Sequence, residues 1–234
     1  MCGRYASSLS TEAIARLFRT TGPLPNIEPS WNIAPSQQAP VVRRHPQTGE
    51  RHLSLLRWGL LPSWTKDPGK AARPINARAE TIRSSGMFRG AFAARRAIVP
   101  AEAFYEWHAT GTEKQPYAIA RVDGQPIAFA GLWEGHRGQD EEITRSFTIV
   151  TTDANDDIRS LHHRMPVILE QPDWGIWLGD EPGDPASLLH KSANDTLRFW
   201  KVSRAVNTPR NNGAELLNAE AAQGGFTLSG TGVD

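Results

Sequence analysis

The only cysteine of the 234-residue chain is Cys2, which directly follows Met1. Methionine aminopeptidases remove Met1 when the next side chain is small, so we expect the mature chain to begin with a thiol and a free α-amine on neighbouring carbons. The ordinary pKa is about 7.7 to 8.0 for the amine and about 8.5 for the thiol, so both have a nucleophilic fraction near pH 7. This 1,2-aminothiol can condense with an aldehyde through nitrogen and then close through sulfur, which gives a thiazolidine ring.

A lone cysteine is more often a small buried hydrophobic residue than a reagent. The three residues that follow Cys2 favour chemistry, because they are a permissive glycine, a cation and an aromatic ring that form neither a helical nor a strand face. On this stretch alone, both interpretations stay open.

A second candidate is Glu106, which stands among the aromatic residues of the segment 104–107. If Glu106 is buried there, desolvation disfavours its charged form and raises its pKa toward the range useful for a general acid or base. The alternative is a strand glutamate that faces solvent between inward rings, and this is the commoner arrangement.

Two adjacent histidines, His162 and His163, precede Arg164. Neighbouring side chains point in different directions and rarely chelate one metal ion together, and the sequence has no HExxH pattern or other cluster of metal ligands. We therefore expect no metal and no cofactor, and we favour a proton-donor role for one of the two histidines.

Positive charge is concentrated in two stretches, although the formal net charge is only +1. Residues 73–96 contain six arginines and one acid, and residues 198–210 contain four cations and no acid. Within the first stretch, Asn76 lies close to Arg78, and this pair could hold a substrate and its phosphate. A basic face suits a polyanion such as nucleic acid, but solvated charge without a partner explains the same pattern equally well.

The composition is that of an ordinary packed protein, with 39% apolar residues. One cysteine excludes an intrachain disulfide and a thiolate-rich zinc site. Charged residues among the first twenty argue against a signal peptide, and no apolar run is long enough to span a bilayer. We expect a cytoplasmic protein.

Strand patterns dominate the scaffold that must position these side chains. A short helix begins after an N-cap at Ser10, and the segment 74–81 leads into a helical region that ends at Arg96. An apolar loop carries Trp64, which is either a satellite core residue or a platform for stacking a base. Strands are predicted at 39–43, 52–60, 97–107, 117–121, 127–133, 146–152, 165–169 and 197–202, with short helices at 173–178 and 185–191.

The strands 117–121 and 127–133 are predicted to form a hairpin through Asp123-Gly124. Because strands and helices do not alternate regularly, we expect an α+β fold in which a β-rich mixed sheet closes into a barrel-like core, with short helices around it. We expect one domain over residues 1–218 and a loose tail over 219–234.

Seven segments of the chain together resemble the SOS response-associated peptidase (SRAP) family, whose members shield abasic sites in single-stranded DNA. The segments occur in the order found in that family. They are MCGRY at 1–5, WNIAP at 31–35, RWGLLPSW at 57–64, INARAET at 75–81, FYEW at 104–107, HHRMP at 162–166 and VSRAV at 202–206.

The resemblance implies a barrel-like fold, a groove for single-stranded DNA and a set of site residues. Cys2 is then the nucleophile, Asn76 positions the terminus and the opened sugar, Glu106 is the acid/base group, and His162 donates a proton to the sugar oxygen, although His163 could share that role. The DNA-binding set comprises Arg4, Arg78, Arg164 and Arg204 as basic contacts, with Pro35 and Trp64 as the wedge that meets unstacked bases.

Three functions fit these residues. The first is a suicide reagent for DNA repair, in which Cys2 captures the ring-opened abasic sugar in a thiazolidine crosslink that shields the lesion. The second is an N-terminal-nucleophile cysteine peptidase, for which removal of its own Met1 is the narrowest activity. The third is a non-catalytic nucleic-acid module. For the first we expect single-stranded DNA with abasic sites as the partner, nucleoid association when DNA is bound, a monomer, and no membrane or obligate protein partner.

Overall fold

The computed structural model describes residues 2–220, which form twelve strands and three α-helices together with short 3-10 helices. The strands are β1 (Tyr5–Ser7), β2 (Ser30–Ile33), β3 (Gln38–Arg44), β4 (Arg51–Trp58), β5 (Asn76–Arg78), β6 (Arg96–Ala101), β7 (Ala103–Thr110), β8 (Glu113–Arg121), β9 (Ile127–Arg137), β10 (Ile143–Asp153), β11 (Arg164–Pro166) and β12 (Leu197–Lys201). The helices are α1 (Thr11–Phe18), α2 (Arg89–Ala94) and α3 (Trp174–Leu178).

Five of these strands close into a ring, which confirms the predicted β-rich barrel-like core. Strand β3 pairs antiparallel with β4 and β6, β6 with β9, and β9 with β10. The ring closes where β10 runs parallel to β4, with Phe147 opposite Trp58. Two short strands, β5 and β11, extend the sheet from β10.

Both faces of the ring are buried, because side chains that alternate along each strand meet a different apolar layer on each side. On β6, Ala97 and Val99 point into the interior cluster, whereas Ile98 joins the cluster beneath the helices. The interior is tight at Gly131, where an added Cβ would lie 3.1 Å from Val99 and 3.2 Å from the Thr148 carbonyl oxygen. Two neighbouring strands approach each other there without room for a side chain.

A second sheet, in the order β12-β8-β7-β1-β2, packs against the ring through aromatic side chains. The Tyr5 ring lies edge-on to Trp58 at 5.1 Å and to Phe129 at 6.0 Å between centroids. Phe104 meets Phe129 in the same way at 5.8 Å. One continuous apolar cluster therefore joins the ring interior to the inner face of the second sheet.

The helices cover the outside of the ring. Ser10 caps α1 as predicted, because its hydroxyl accepts a hydrogen bond from the Ala13 amide at 3.2 Å. Phe18 on α1 packs against Trp174 on α3 with centroids 4.4 Å apart. Within residues 2–220 no helix has the length and apolar character needed to cross a membrane.

The predicted hairpin through Asp123-Gly124 is wrong. The turn itself forms, with Gly124 at a φ of 72° and the Asp123 carboxylate accepting from the Gln125 amide. However, β8 pairs with β7 and β12, whereas β9 pairs with β6 and β10, so the turn carries the chain from one sheet to the other. Turn chemistry is local, but the partner of a strand is chosen by long-range packing.

Two other boundaries differ from the expectation. The predicted helical region before Arg96 is mostly turns, and only α2 within it is an α-helix, since the serines and glycine at 84–86 favour turns. At the predicted tail, Ala219 bridges Val202 and the Glu220 amide donates to the Lys201 carbonyl at 2.9 Å. The rest of that tail, 221–234, lies outside the described residues.

Phe129 links the two sheets, so Phe129→Ala should lower the free energy of unfolding by about 3 to 5 kcal/mol. The cavity would open at the point where Tyr5 and Phe104 meet the ring. Urea denaturation followed by fluorescence measures the change. Val122→Ala is the control, because Val122 is 55% exposed, and we expect less than about 0.5 kcal/mol there. A similar small loss for Phe129→Ala would contradict this account of the core.

Candidate active site and nucleic-acid interface

Cys2 lies at the start of the segment that enters the second sheet between β2 and β7. The Arg4 carbonyl accepts a hydrogen bond from the Tyr105 amide at 2.9 Å, which fixes the segment just before β1. The Cys2 side chain is fully buried and belongs to the interior apolar cluster. Burial raises the pKa of the Cys2 thiol, and the negative charge of Glu106 raises it further, so the thiol keeps its proton at neutral pH.

Asn76 holds the backbone of this terminus. It begins β5, which runs parallel to β10 with Asn76 opposite Ile149. Its amide nitrogen donates to the Cys2 carbonyl oxygen at 3.0 Å. Its side-chain oxygen is buried and has no hydrogen-bond partner among the described residues, so one acceptor beside Cys2 is unpaired.

Glu106 comes from β7, where it lies opposite Tyr117 on β8. The side chain is buried, and this burial raises the pKa of its carboxyl group. The solvent-facing alternative considered from the sequence is therefore wrong for this glutamate. Because its charge also acts on the thiol of Cys2, the two groups share one low-dielectric environment.

His162 and His163 stack with ring centroids 4.4 Å apart, but their surroundings differ. His162 is half-buried, and its Nδ1 accepts a hydrogen bond from the Arg164 amide at 2.9 Å. This bond leaves the proton of the neutral ring on Nε2. Burial lowers the pKa of His162, so the neutral form prevails near pH 7. His163 is exposed, and its position favours His162 as the histidine of the site.

Two of these groups, Glu106 and His162, line an open groove of about 540 Å³. Within it, the Arg4 guanidinium is oriented by Asn32 Oδ1 at 2.7 Å and the Val206 carbonyl at 2.8 Å, and it lies 5.8 Å from the centre of the Trp107 ring. The residues lining the groove are Arg4, Glu106, Trp107, Lys114, His162 and Asn207.

Three contributors to this groove were missed by sequence reasoning. Asn32 is buried, and its amide nitrogen donates to the carbonyls of Val206, Thr208 and Asn211, so it ties the C-terminal loop to Arg4. Lys114 and Asn207 stand on the rim. Asn32 lies within the segment 31–35 that carried the family resemblance, so that motif was a signal for it, whereas nothing local distinguishes the other two.

Four of the six predicted DNA-binding residues are exposed, and one of them, Arg204, forms an ion pair with Glu113. Pro35 and Arg78 lie on the surface, and Trp64 is 65% exposed, the largest fraction for an exposed large hydrophobic residue among residues 2–220. The sequence left open a satellite core role for Trp64, and this exposure argues against it. The exposure is compatible with the other role that the sequence left open, a platform for stacking a base.

Arg164 and Arg204 are already engaged within the protein. The buried Arg164 donates to both carboxylate oxygens of Glu80, to Asp153 at 2.8 Å and to the Thr151 carbonyl at 2.7 Å. Arg204 pairs with Glu113 at the surface. Phosphate contacts by these two arginines remain predictions, and a phosphate would have to compete with their carboxylate partners.

A comparison with family models matches residues 1–209 to the family described as SOS response associated peptidase (SRAP). Among curated relatives, the abasic site processing protein YoaM of Bacillus subtilis (strain 168) is 38% identical over 229 residues, covering 94% of this chain and 99% of YoaM. The abasic site processing protein YedK of Escherichia coli (strain K12) is 33% identical, covering 93% of this chain and 99% of YedK. The abasic site processing protein HMCES of Xenopus tropicalis is 30% identical over 94% of this chain and 78% of its own length.

Solved structures show the same fold. A crystal structure of a protein from Bacteroides thetaiotaomicron superposes with a TM-score of 0.84 at 23% identity, covering 94% of this chain and 100% of that one. A second, from Bordetella bronchiseptica, has a TM-score of 0.74 at 30% identity over 86% of this chain and 100% of that one. With the family match and relatives that align along nearly its whole length, the chain belongs to the SOS response associated peptidase (SRAP) family.

Proposed function

We propose that this protein binds single-stranded DNA at an abasic site and that Cys2, once Met1 is removed, captures the opened sugar in a thiazolidine crosslink. One observation carries the proposal: Asn76 holds Cys2 within reach of the charge of Glu106, and Glu106 lines a groove together with His162 and Arg4. The choice of an abasic site as the lesion rests on the names of the relatives, which are called abasic site processing proteins.

The first step opens the sugar. An abasic sugar is a cyclic hemiacetal, and its opening moves the hydroxyl proton of C1′ to the ring oxygen and leaves an aldehyde. In the proposal, the Nε2–H of the neutral His162 ring donates a hydrogen bond to the ring oxygen as that oxygen takes up the proton released by the C1′ hydroxyl. The α-amine of Cys2 then attacks the aldehyde and releases water as an imine forms. The buried oxygen of Asn76 accepts a hydrogen bond from the amine or the opened sugar.

The second step closes the ring. The thiol of Cys2 keeps its proton because burial raises its pKa, so it needs a neighbouring base. In the proposal, the Glu106 carboxylate takes that proton as sulfur attacks C1′, and the electron pair of the C=N bond moves to nitrogen, which is protonated. The sum is amine plus thiol plus aldehyde to thiazolidine plus water, and no oxidant or metal enters.

The DNA strand would lie along the groove, with phosphates near Arg4 and Arg78 and with an unstacked base against Trp64 and Pro35. Arg78 and Trp64 are exposed and form no ion pair or ring contact among the described residues, so binding DNA would not break existing interactions there. Arg164 and Arg204 would contribute at the edges of this surface, in exchange with their carboxylates. The proposal includes a monomeric protein that joins the nucleoid only through DNA.

A peptidase function is the second candidate, and the family description supports it. Self-removal of Met1 would use the Cys2 thiol as nucleophile and the same Glu106, so the residues alone do not separate the two functions. Intact-mass spectrometry of the purified protein and of Cys2→Ala separates self-processing from removal by a cellular aminopeptidase. Loss of Met1 from Cys2→Ala would argue against a need for self-processing, since alanine is also small enough for the aminopeptidase.

Trp64→Ala should weaken binding to single-stranded DNA by about 1 to 3 kcal/mol if one base stacks on the ring. Fluorescence anisotropy with a labelled oligonucleotide measures this loss of affinity. The wild-type protein should bind single-stranded DNA more tightly than intact duplex, and its affinity should fall as the salt concentration rises. Phe199→Ala is the control, because Phe199 is also exposed, at 39%, but lies on β12 outside the groove. Equal losses for both variants would rule out a specific stacking role for Trp64.

Glu106→Gln and His162→Ala should slow crosslinking by about 10² to 10⁴ while sparing non-covalent binding. His163→Ala should have little effect, because His163 is exposed outside the groove. A wild-type rate for either of the first two variants would remove that residue from the mechanism.

The pH dependence of crosslinking isolates Glu106. Burial raises its pKa above the ordinary 4.5, so its carboxylate is lost at a higher pH than that of an exposed glutamate. The ratio of the wild-type rate to the Glu106→Gln rate should therefore be large at pH 7 and decline toward one as pH falls through this raised pKa. A ratio that does not change with pH would contradict a base role for Glu106.

Cys2→Ala keeps the α-amine after removal of Met1 but lacks sulfur, so an imine can form and the ring cannot close. We expect this variant to lose the heat-stable band on a denaturing gel, to gain a borohydride-dependent band and to nick some DNA at abasic sites. An extra residue ahead of Cys2 does the reverse, because it keeps sulfur and places the amine in a peptide bond. If that variant forms a stable adduct at the wild-type rate, Cys2 acts as an ordinary thiol nucleophile instead.

A further inference from the structure

A second basic region lies on the ring near the loop that carries Trp64, and none of its lining residues lines the groove. Here Arg43, Arg95 and Arg145 line a pocket of about 280 Å³, and Ser63, the residue before Trp64, lines it too. A neighbouring pocket of about 550 Å³ shares Arg95 with it and adds Arg44 and Arg96. Five arginines therefore surround two adjoining cavities that the proposed crosslinking chemistry does not use.

These arginines have little negative charge near them. Glu134 is buried and pairs with Arg95 at 2.7 Å. Among residues 2–220, the other four arginines form no ion pair, and Arg44 and Arg96 donate instead to backbone carbonyls. The two pockets thus combine five positive charges with one carboxylate, which is a strong local excess for a chain of net charge +1.

Arg43 shows that the first pocket is built rather than merely charged. It is only 6% exposed, and its guanidinium lies 4.6 Å from the centre of the buried Trp133 ring. Its Nε is buried without a hydrogen-bond partner among the described residues. Burial and the nearby charge of Arg145 lower the pKa of Arg43 to about 10. An anion between Arg43 and Arg145 would satisfy the open donor and relieve the repulsion.

We propose that this Arg43–Arg145 pocket binds a phosphate group. The source is either a phosphodiester of the bound DNA strand or a small free phosphate compound. A strand is the better candidate, because Ser63 connects the pocket to the loop of Trp64. Arg145 also lies four residues before Ile149 on β10, and Ile149 pairs with Asn76. At the usual rise per residue of a strand, Arg145 is therefore about 13 Å from the position of Asn76, measured along β10. A stacked strand covers that distance in roughly four nucleotides.

The strand assignment rests on the proposed function, whereas the anion site itself does not. The test uses two series of single-stranded oligonucleotides that contain a tetrahydrofuran abasic analogue, which lacks the aldehyde. In one series the strand continues for 0, 2, 4 or 8 nucleotides on the 5′ side of the analogue, and in the other series it does so on the 3′ side. Fluorescence anisotropy should show a gain in wild-type affinity when one of the two series reaches about four nucleotides. Arg145→Gln should lose this gain. The slope of the logarithm of its binding constant against the logarithm of the salt concentration should be shallower by about 0.7, which is the value for one phosphate contact on a single strand.

The matched control is Arg137→Gln, which removes the same charge from the same pair of strands. Arg137 lies on β9 outside the pocket and pairs with Glu141 on the surface. Both arginines are exposed, so neither change should harm folding. We expect Arg137→Gln to keep the length-dependent gain and the wild-type salt dependence.

A second arm uses inorganic pyrophosphate and follows thermal unfolding. If pyrophosphate raises the Tm of wild type and Arg137→Gln but not of Arg145→Gln, while DNA binding shows no length step, the pocket takes a free phosphate compound. If the two variants match each other in both arms, the pocket proposal is wrong. If wild type binds no oligonucleotide even at low salt, the proposed function fails, and the pyrophosphate arm still decides the pocket.

Discussion

The site depends on how the N-terminal segment is locked between the second sheet and the ring. Tyr5 is fully buried against Trp58 and Phe129, and β1 is hydrogen-bonded to β2 on one side and β7 on the other. A chain terminus is ordinarily poorly ordered unless it is tied down in this way. Because Tyr5 closes the ring interior only three residues after Cys2, the packing that stabilises the core also sets the place of the thiol. Asn76 then needs only one hydrogen bond to orient the Cys2 carbonyl.

Burial is the second constraint, and it acts on all three titratable groups of the site in the direction that disfavours charge. It raises the pKa of Cys2 and of Glu106 and lowers the pKa of His162. A thiol that keeps its proton is a poor nucleophile by itself, so the arrangement suits a mechanism in which nitrogen attacks first and sulfur follows with a base at hand. A buried carboxylate costs stability at neutral pH, which is typical of groups retained for function rather than for folding.

The arginines divide into those that hold the protein together and those that are open to a ligand. Arg164 is bonded through its two terminal nitrogens to two carboxylates and a carbonyl, and it secures the end of β10 beside His162. Arg4 is held by Asn32 and the Val206 carbonyl, so its charge faces the groove in a fixed direction. By contrast, Arg78 and Arg145 are exposed, and neither they nor the buried Arg43 have a carboxylate partner among the described residues. Net charge alone would conceal this division.

Local chemistry in the sequence determined the candidate reactive groups, the strand-rich character and many individual elements, such as the Ser10 cap and the Asp123-Gly124 turn. These features follow from side chains and their near neighbours. Only the tertiary structure decided that the turn joins two sheets, that Glu106 is buried rather than solvent-facing, and that His162 rather than His163 lines the groove. It also revealed Asn32 as the residue that orients Arg4. Strand partners, burial and hydrogen bonds across more than a hundred positions depend on how distant segments pack, and no local pattern encodes them.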